Sequence, residues 1–205
     1  MVVRGRPGPR SVRRVMADEG THPQRASARG AGRAQDGTGP AAPPVSLRDA
    51  VALATRAHAG QLDKIGDDYI GHPLRVMDAV GAAAERAVVD PYHARLAAVL
   101  HDVVEDTDVT LADLASLGYP PEVVAAVDAL THRDGESVPD YLTRVAGNDL
   151  AVVVKRADMA DNSNPARLAR LPRDQADRYT RRYADRVRLL DDLVAGRKAD
   201  WARMG

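Results

Sequence analysis

Val99-Leu100-His101-Asp102-Val103-Val104-Glu105-Asp106 closes an apolar run that begins at Ala94. On a helical projection that run is apolar on every side, and such a helix is buried. It carries His101, Asp102 and Glu105 inward with it, and polar or charged groups buried without partners are costly. A metal ion is the simplest relief for a histidine beside a carboxylate in such a place. The stretch therefore points to a metal-dependent hydrolase.

Two further apolar segments are interrupted in the same way. His72 stands where a polar, glycine-containing loop (60–69) meets the helix opened by Pro73, and Asp158 follows Val152-Val153-Val154-Lys155-Arg156-Ala157. His72, His101, Asp102 and Asp158 make a mixed nitrogen and oxygen set suited to Mn²⁺, Fe²⁺ or Zn²⁺, with positions left for water and substrate. Glu105 and Asp106 lie four residues after His101 and Asp102, one helical turn on. Carboxylates so placed can orient an attacking water and take its proton. Asn162 is one turn beyond Asp158, where an amide can hold a substrate hydroxyl or phosphate. Each group also has a plainer reading. His72 can be bonded locally at a helix start, Asp158 can pair with Lys155 or Arg156, and Glu105 and Asp106 can be a solvated helix end. His58 reads as a structural partner of the loop, and His22, His93 and His132 as surface residues.

Around these residues the pattern is helical throughout. Ser46 with Asp49 forms an N-terminal capping signature for a helix to about Gly60. His72-Pro73 and Asp90-Pro91 open the second and third helices. Thr110 caps a short helix that Gly118 ends, Pro120-Pro121 opens one over Glu122 to Leu130, and Ser137 or Pro139 starts one through Ala146. Leu150 to Val154 is β-branched like a strand, but it runs on without a break to Asn162 and reads as one buried helix. Ala176, Tyr179, Tyr183, Val187, Leu190 and Val194 form a core stripe on a last helix, about 173 to 200. The expected fold is all-α, a bundle of seven or eight helices over residues 45–205.

Composition sets the outer bounds. With no Cys, disulfides and thiolate metal sites are excluded. No apolar run is long enough to span a membrane, no secretory signal is present, and a cytoplasmic setting is expected. Formal charge is balanced, yet residues 1–44 hold eight of the 29 basic residues and only three of the 29 acidic ones. That Gly/Pro/Arg-rich tail reads as disordered. It is either an inert extension, with Met16 as an alternative start, or a basic tether to anionic surfaces. The remainder is mildly acidic, which argues against general nucleic-acid binding. Oligomeric state is not encoded in any pattern here.

His58-Ala-Gly-Gln61, Tyr69-Ile-Gly-His72-Pro73, His101-Asp102-Val-Val-Glu105-Asp106-Thr107 and Lys155-Arg-Ala-Asp158-Met-Ala-Asp-Asn162 together resemble one family. It is the HD-domain metal-dependent phosphohydrolases, in particular the hydrolase domain of the RelA/SpoT alarmone enzymes and their small single-domain relatives. The resemblance covers roughly residues 46–190. It implies an HD-domain helical fold and one Mn²⁺ held by His72, His101, Asp102 and Asp158. It also implies that Glu105 and Asp106 activate or position the attacking water and that Asn162 contacts the nucleotide ribose. The implied reaction removes the 3′-pyrophosphate of (p)ppGpp, the alarmone of the stringent response. Other nucleotide phosphohydrolysis (a nucleotidase or NADPH phosphatase) and a non-catalytic nucleotide-sensing module are the alternatives. About 15 residues follow position 190, so no synthetase activity is expected. The chain departs from the family at three points: Asp63 replaces one member of a basic pair before Lys64, Met159 replaces an arginine, and Asp161 replaces a histidine. Base recognition is then expected from Tyr69, Lys64 or aliphatic contacts, and phosphate contacts from Lys64, Arg133 and Arg178.

Overall fold

The computed structural model describes residues 45–204, and the expectations for the 1–44 tail lie outside them. Among the described residues there are ten helices and no strand, only an isolated antiparallel bridge between Leu62 and Asp68. They are α1 (Leu47–Ala57), α2 (Gly71–Ala87), α3 (Pro91–Leu100), α4 (Val103–Asp106), α5 (Leu111–Ser116), α6 (Pro121–Leu130), α7 (Val138–Ala146), α8 (Asp149–Asn162), α9 (Pro165–Leu168) and α10 (Arg173–Met204). Two of the ten, α4 and α9, are single turns, which accounts for the difference from seven or eight. No helix among the described residues is long and apolar enough to cross a membrane.

Caps fix most of the boundaries. Ser46 and Asp49 form a reciprocal capping box on α1, and Thr110 and Asp113 form another on α5. Asp90, Ser137, Asn148 and Asn164 accept from first-turn amides of α3, α7, α8 and α9, which satisfies donors a helix start leaves open. Gly118 ends α5 with φ +85°, a conformation that suits a residue without Cβ. The first helix stops at Ala57, with His58 as its C-cap, short of Gly60.

The third helix is the axis of the bundle. From Leu96 to Leu100 every side chain is buried, as are His101 and Val103. Helix α2 packs across α3 and α8, and α3 also touches α1, α6 and α8. The β-branched segment 152–154 is helical, as the flanks require, because its side chains are enclosed on all sides. Helix α10 lies along α7 and α8 through Tyr183, Leu190 and Val194. The core is aliphatic and dense in small residues, so helix axes come close. That brings the start of α2, the end of α3 and the last turns of α8 to one place.

Candidate metal centre

His101 sits where the hydrogen-bonding of α3 breaks before α4 resumes at Val103. Its Nδ1 lies 2.7 Å from the Ala98 carbonyl oxygen, one of the acceptors a helix end leaves open. A carbonyl can only accept, so Nδ1 carries a proton and Nε2 is the nitrogen left to bind a metal. His72, at the start of α2, has Nδ1 2.7 Å from Asp161 Oδ2. A carboxylate likewise accepts, so His72 also turns its Nε2 inward.

Both Nε2 atoms face the same two carboxylates. His72 Nε2 is 3.1 Å from Asp158 Oδ1 and 3.7 Å from Asp102 Oδ2. His101 Nε2 is 2.9 Å from Asp102 Oδ2 and 3.9 Å from Asp158 Oδ1. Ligand atoms of His72, His101 and Asp102 lie within 4.8 Å of one another. The buried His101 Nε2 has no hydrogen-bond partner among the described residues. Without a metal, protons on these nitrogens balance the carboxylates; a divalent transition metal can take their place, and this donor set fits one. The sequence-predicted quartet is thus brought together. A plainer reading of Asp158 holds alongside it, since Asp158 Oδ2 pairs with Lys155 Nζ at 2.8 Å.

Charges here are strongly displaced from their ordinary values. Burial opposes protonation of His101, but the Asp102 carboxylate outweighs it and lifts the imidazole to about 9. Despite burial, Lys155 and then His72 hold Asp158 well below the carboxylate range. His101 does the same for Asp102. Glu105 and Asp106 move the other way. Crowding by protein atoms and the Asp102 charge raise both, Asp106 to about 8.

The surroundings hold these groups in place. Tyr69 donates its hydroxyl to Asp102 Oδ2, so this residue braces a carboxylate of the centre. Gln61 bonds His58 Nδ1 at 2.7 Å and donates to the Asp106 carbonyl at 2.9 Å, which makes His58 the structural partner expected of it. Asn162 Nδ2 donates to Asp158 Oδ1. Its side-chain and backbone oxygens accept from Lys64 Nζ at 2.9 and 2.6 Å. Lys64 lies 4.6 Å from the ring centre of Tyr179, and burial lowers its ammonium to about 8.

Two expected contacts are differently engaged. The Arg133 guanidinium is bonded to Asp128, and that of Arg178 lies 3.4 Å from Asp174 on exposed α10 surface. His132, read as a surface residue, is at the edge of the centre. Its amide donates to Glu105 Oε2 at 2.8 Å and its ring packs edge-on against Tyr141. Arg75 and Arg167 were not singled out, yet both guanidiniums grip Asp161. Arg75 follows His72 by three residues on α2, a spacing that could have flagged it. No local pattern marks Arg167.

A family model described as the HD domain matches residues 69–163, the segment that contains all four central residues. A probable GTP pyrophosphokinase of Mycobacterium leprae is 29% identical over 164 residues, covering 76% of this chain and 20% of the relative. The bifunctional (p)ppGpp synthase/hydrolase SpoT of Escherichia coli is 29% identical over 150 residues, covering 65% and 21%. The chain thus spans about a fifth of the length of these curated relatives. A solved structure described as a metazoan ortholog of SpoT that hydrolyzes ppGpp has a TM-score of 0.54 at 22% identity, covering 77% of this chain and 98% of that one. That likeness establishes a shared fold. With the all-α architecture and the His72, His101, Asp102 cluster, the model match identifies residues 69–163 as an HD domain, in a chain similar to RelA/SpoT-type proteins.

Proposed function

We propose that the chain is a metal-dependent phosphohydrolase that binds Mn²⁺ through His72, His101, Asp102 and Asp158 and removes the 3′-pyrophosphate of (p)ppGpp. One observation carries this reading. Two buried imidazoles bond through Nδ1 to Ala98 and Asp161 and turn Nε2 inward onto the same two carboxylates. The similarity to proteins named as (p)ppGpp hydrolases supports the substrate.

A bound divalent ion polarises a phosphoryl oxygen and lowers the pKa of water at the site. The protein does the rest. Burial and the Asp102 charge raise both Glu105 and Asp106, Asp106 to about 8, so Asp106 exchanges protons near neutral pH, where acid–base catalysis is effective. Glu105 and Asp106 take one proton of the attacking water as its oxygen bonds to the phosphorus next to O3′. The P–O3′ bond breaks, that proton passes on to O3′, which leaves as the ribose hydroxyl, and pyrophosphate carries the water oxygen away. Tyr69 and Lys155 hold Asp102 and Asp158 in place. Asn162 orients the ribose. Lys64, with one ammonium proton not used on Asn162, faces phosphate. The Arg133 and Arg178 ion pairs are exposed and weak, so both guanidiniums can turn to outlying phosphates.

A second reading keeps the centre and changes the nucleotide to NADPH or a nucleoside monophosphate. Asp63 favours it, because a buried, arginine-paired carboxylate stands where the family resemblance has a cation. Incubating the full chain and Mn²⁺ with (p)ppGpp, NADPH and nucleoside monophosphates, with products separated by chromatography, tests both. Release of pyrophosphate from (p)ppGpp at the highest kcat/KM is expected. Preferred release of orthophosphate from another nucleotide overturns the substrate, and tight binding with no product overturns catalysis.

A further inference from the structure

Asp63 and Asp161, taken separately, look like losses from the family's machinery. The structure joins them through a third residue. Arg167, on the single turn α9, donates from one guanidinium nitrogen to Asp63 Oδ2 at 2.5 Å and from another to Asp161 Oδ2. All three side chains are largely buried, with Asp63 5% exposed, Asp161 9% and Arg167 13%. Each carboxylate has its own duty. Asp63 Oδ1 accepts from the amides of Ile65 and Asp67, both at 3.0 Å, and so organises the turn that carries Lys64. Asp161 accepts from His72 Nδ1 and from Arg75 Nε, both at 2.7 Å.

We propose that Arg167 is a positioning residue that couples the Lys64 turn to the His72 imidazole, with Asp63 and Asp161 as its two grips. This rests on the reading of His72 as a metal ligand for its consequence, though not for its geometry. The guanidinium is a rigid planar fork, suited to holding two carboxylates at once. Among the ion pairs of the described residues it is the one side chain that touches both acids, and it is Asp63's cation partner. A shift of the turn at Asp63 therefore moves Arg167. The other end of Arg167 bears on the acceptor that fixes which imidazole nitrogen of His72 keeps its proton. Partners of this kind behind a ligating histidine typically change metal affinity by about 10- to 100-fold when removed. Lys64 and His72 accordingly respond together: substrate pulling on the turn tightens the centre, and a bound ion stiffens the turn.

The test uses the full chain with Asp63→Asn, Arg167→Met and the double variant. Asn keeps an oxygen for the Ile65 and Asp67 amides but loses the charge that Arg167 grips. The first readout needs no metal. The His72 Nδ1 proton, assigned by its loss in Asp161→Ala, is followed by proton–nitrogen NMR. A slowly exchanging downfield signal in the parent should shift or broaden in both single variants. The second readout is calorimetric titration with Mn²⁺ alone. Arg167→Met should lower affinity about 10-fold and Asp63→Asn should lower it several-fold, although Asp63 touches no ligand. In the Arg167→Met background Asp63→Asn should add less than about twofold, because its effect runs through the missing guanidinium. Far-UV circular dichroism checks folding. If Arg167→Met fails it, Arg167→Lys, which keeps charge but not the fork, replaces it with the same expectations. A His72 signal and an affinity unchanged in Asp63→Asn overturn the proposal, even if thermal stability drops. So does a full additional loss in the double variant. If the parent takes up no Mn²⁺, the proposed function falls, and the His72 signal alone decides the coupling.

Discussion

The two imidazoles of the centre are held by opposite means. His101 is anchored by a backbone carbonyl three residues away in its own helix, and no side-chain substitution removes that acceptor. His72 is anchored by Asp161 on another helix, which is itself gripped by Arg75 and Arg167. One half of the centre is written into local helix geometry and comes with the fold. The other is an assembled ion-pair network that varies when its members vary. A site built this way can keep its chemistry at the rigid half while adjusting affinity and substrate contacts at the other.

Asp158 faces both halves, so Asp158→Ala should do the most damage. It leaves Lys155 buried without its carboxylate, and breaking such a pair costs about 3–5 kcal/mol. Loss of Mn²⁺ uptake and turnover with a lower urea midpoint is expected; retained uptake would mean that the two imidazoles work without a shared acid. Glu105 belongs to neither anchor. Glu105→Gln should lower kcat by about 10²- to 10⁴-fold with Mn²⁺ affinity unchanged in calorimetry. A matching fall in affinity would move Glu105 from the reaction to the ligand set.

Acid should weaken both halves. His101 without metal titrates at about 9, and Asp158 and Asp161 raise His72 against the effect of its burial. An incoming ion must expel those protons. For the His101 proton alone, Mn²⁺ affinity should then fall by about tenfold per pH unit below about pH 9, and a proton on His72 steepens the fall at lower pH. Calorimetry in buffers of different ionisation enthalpy counts the protons, and a flat affinity would contradict the assignment. The sign for stability follows from the same group. The folded value of His101 lies above its ordinary 6.5, so its contribution is full below about pH 6.5 and is lost as pH rises through about 9. Urea midpoints of the metal-free chain should decline across that window.

The smallest effect belongs to Arg75. It is 42% exposed and shares Asp161 with Arg167. Exposed pairs are worth about 1 kcal/mol or less, so Arg75→Ala should change Mn²⁺ affinity by under about fivefold. A larger loss would make Arg75, and not Arg167, the main support of the His72 half.

This asymmetry also explains what sequence reading reached. The buried His101-Asp102 pair, the capped helix starts at Ser46, Asp90 and Thr110, and the helical nature of the valine run 152–154 all depend on neighbours within a turn or two, and each was readable. The quartet could be assembled because each member interrupts an apolar segment. Asp63 and Asp161 were readable only as departures from the family, because the residue they share, Arg167, lies more than a hundred residues after Asp63. His132 was missed because its backbone amide, which no side-chain pattern reports, is what reaches Glu105. Tyr179 and Tyr183 were rightly placed on the core stripe, but the stripe gave no hint that their rings seat Lys64.

The turn between α1 and α2 is polar and contains Gly60 and Gly66 in left-handed conformations. Loop tips of that composition are where proteases usually make their first cut. This one is tied down by Lys64 on Asn162, Asp63 on Arg167 and Asp67 on Arg170. Cleavage needs a segment to unfold into an extended strand, and three ties to the far end of the domain oppose that. Trypsin should therefore spare Lys64 in the native chain, and nicking there would report that the opposite end of the HD segment has already come away.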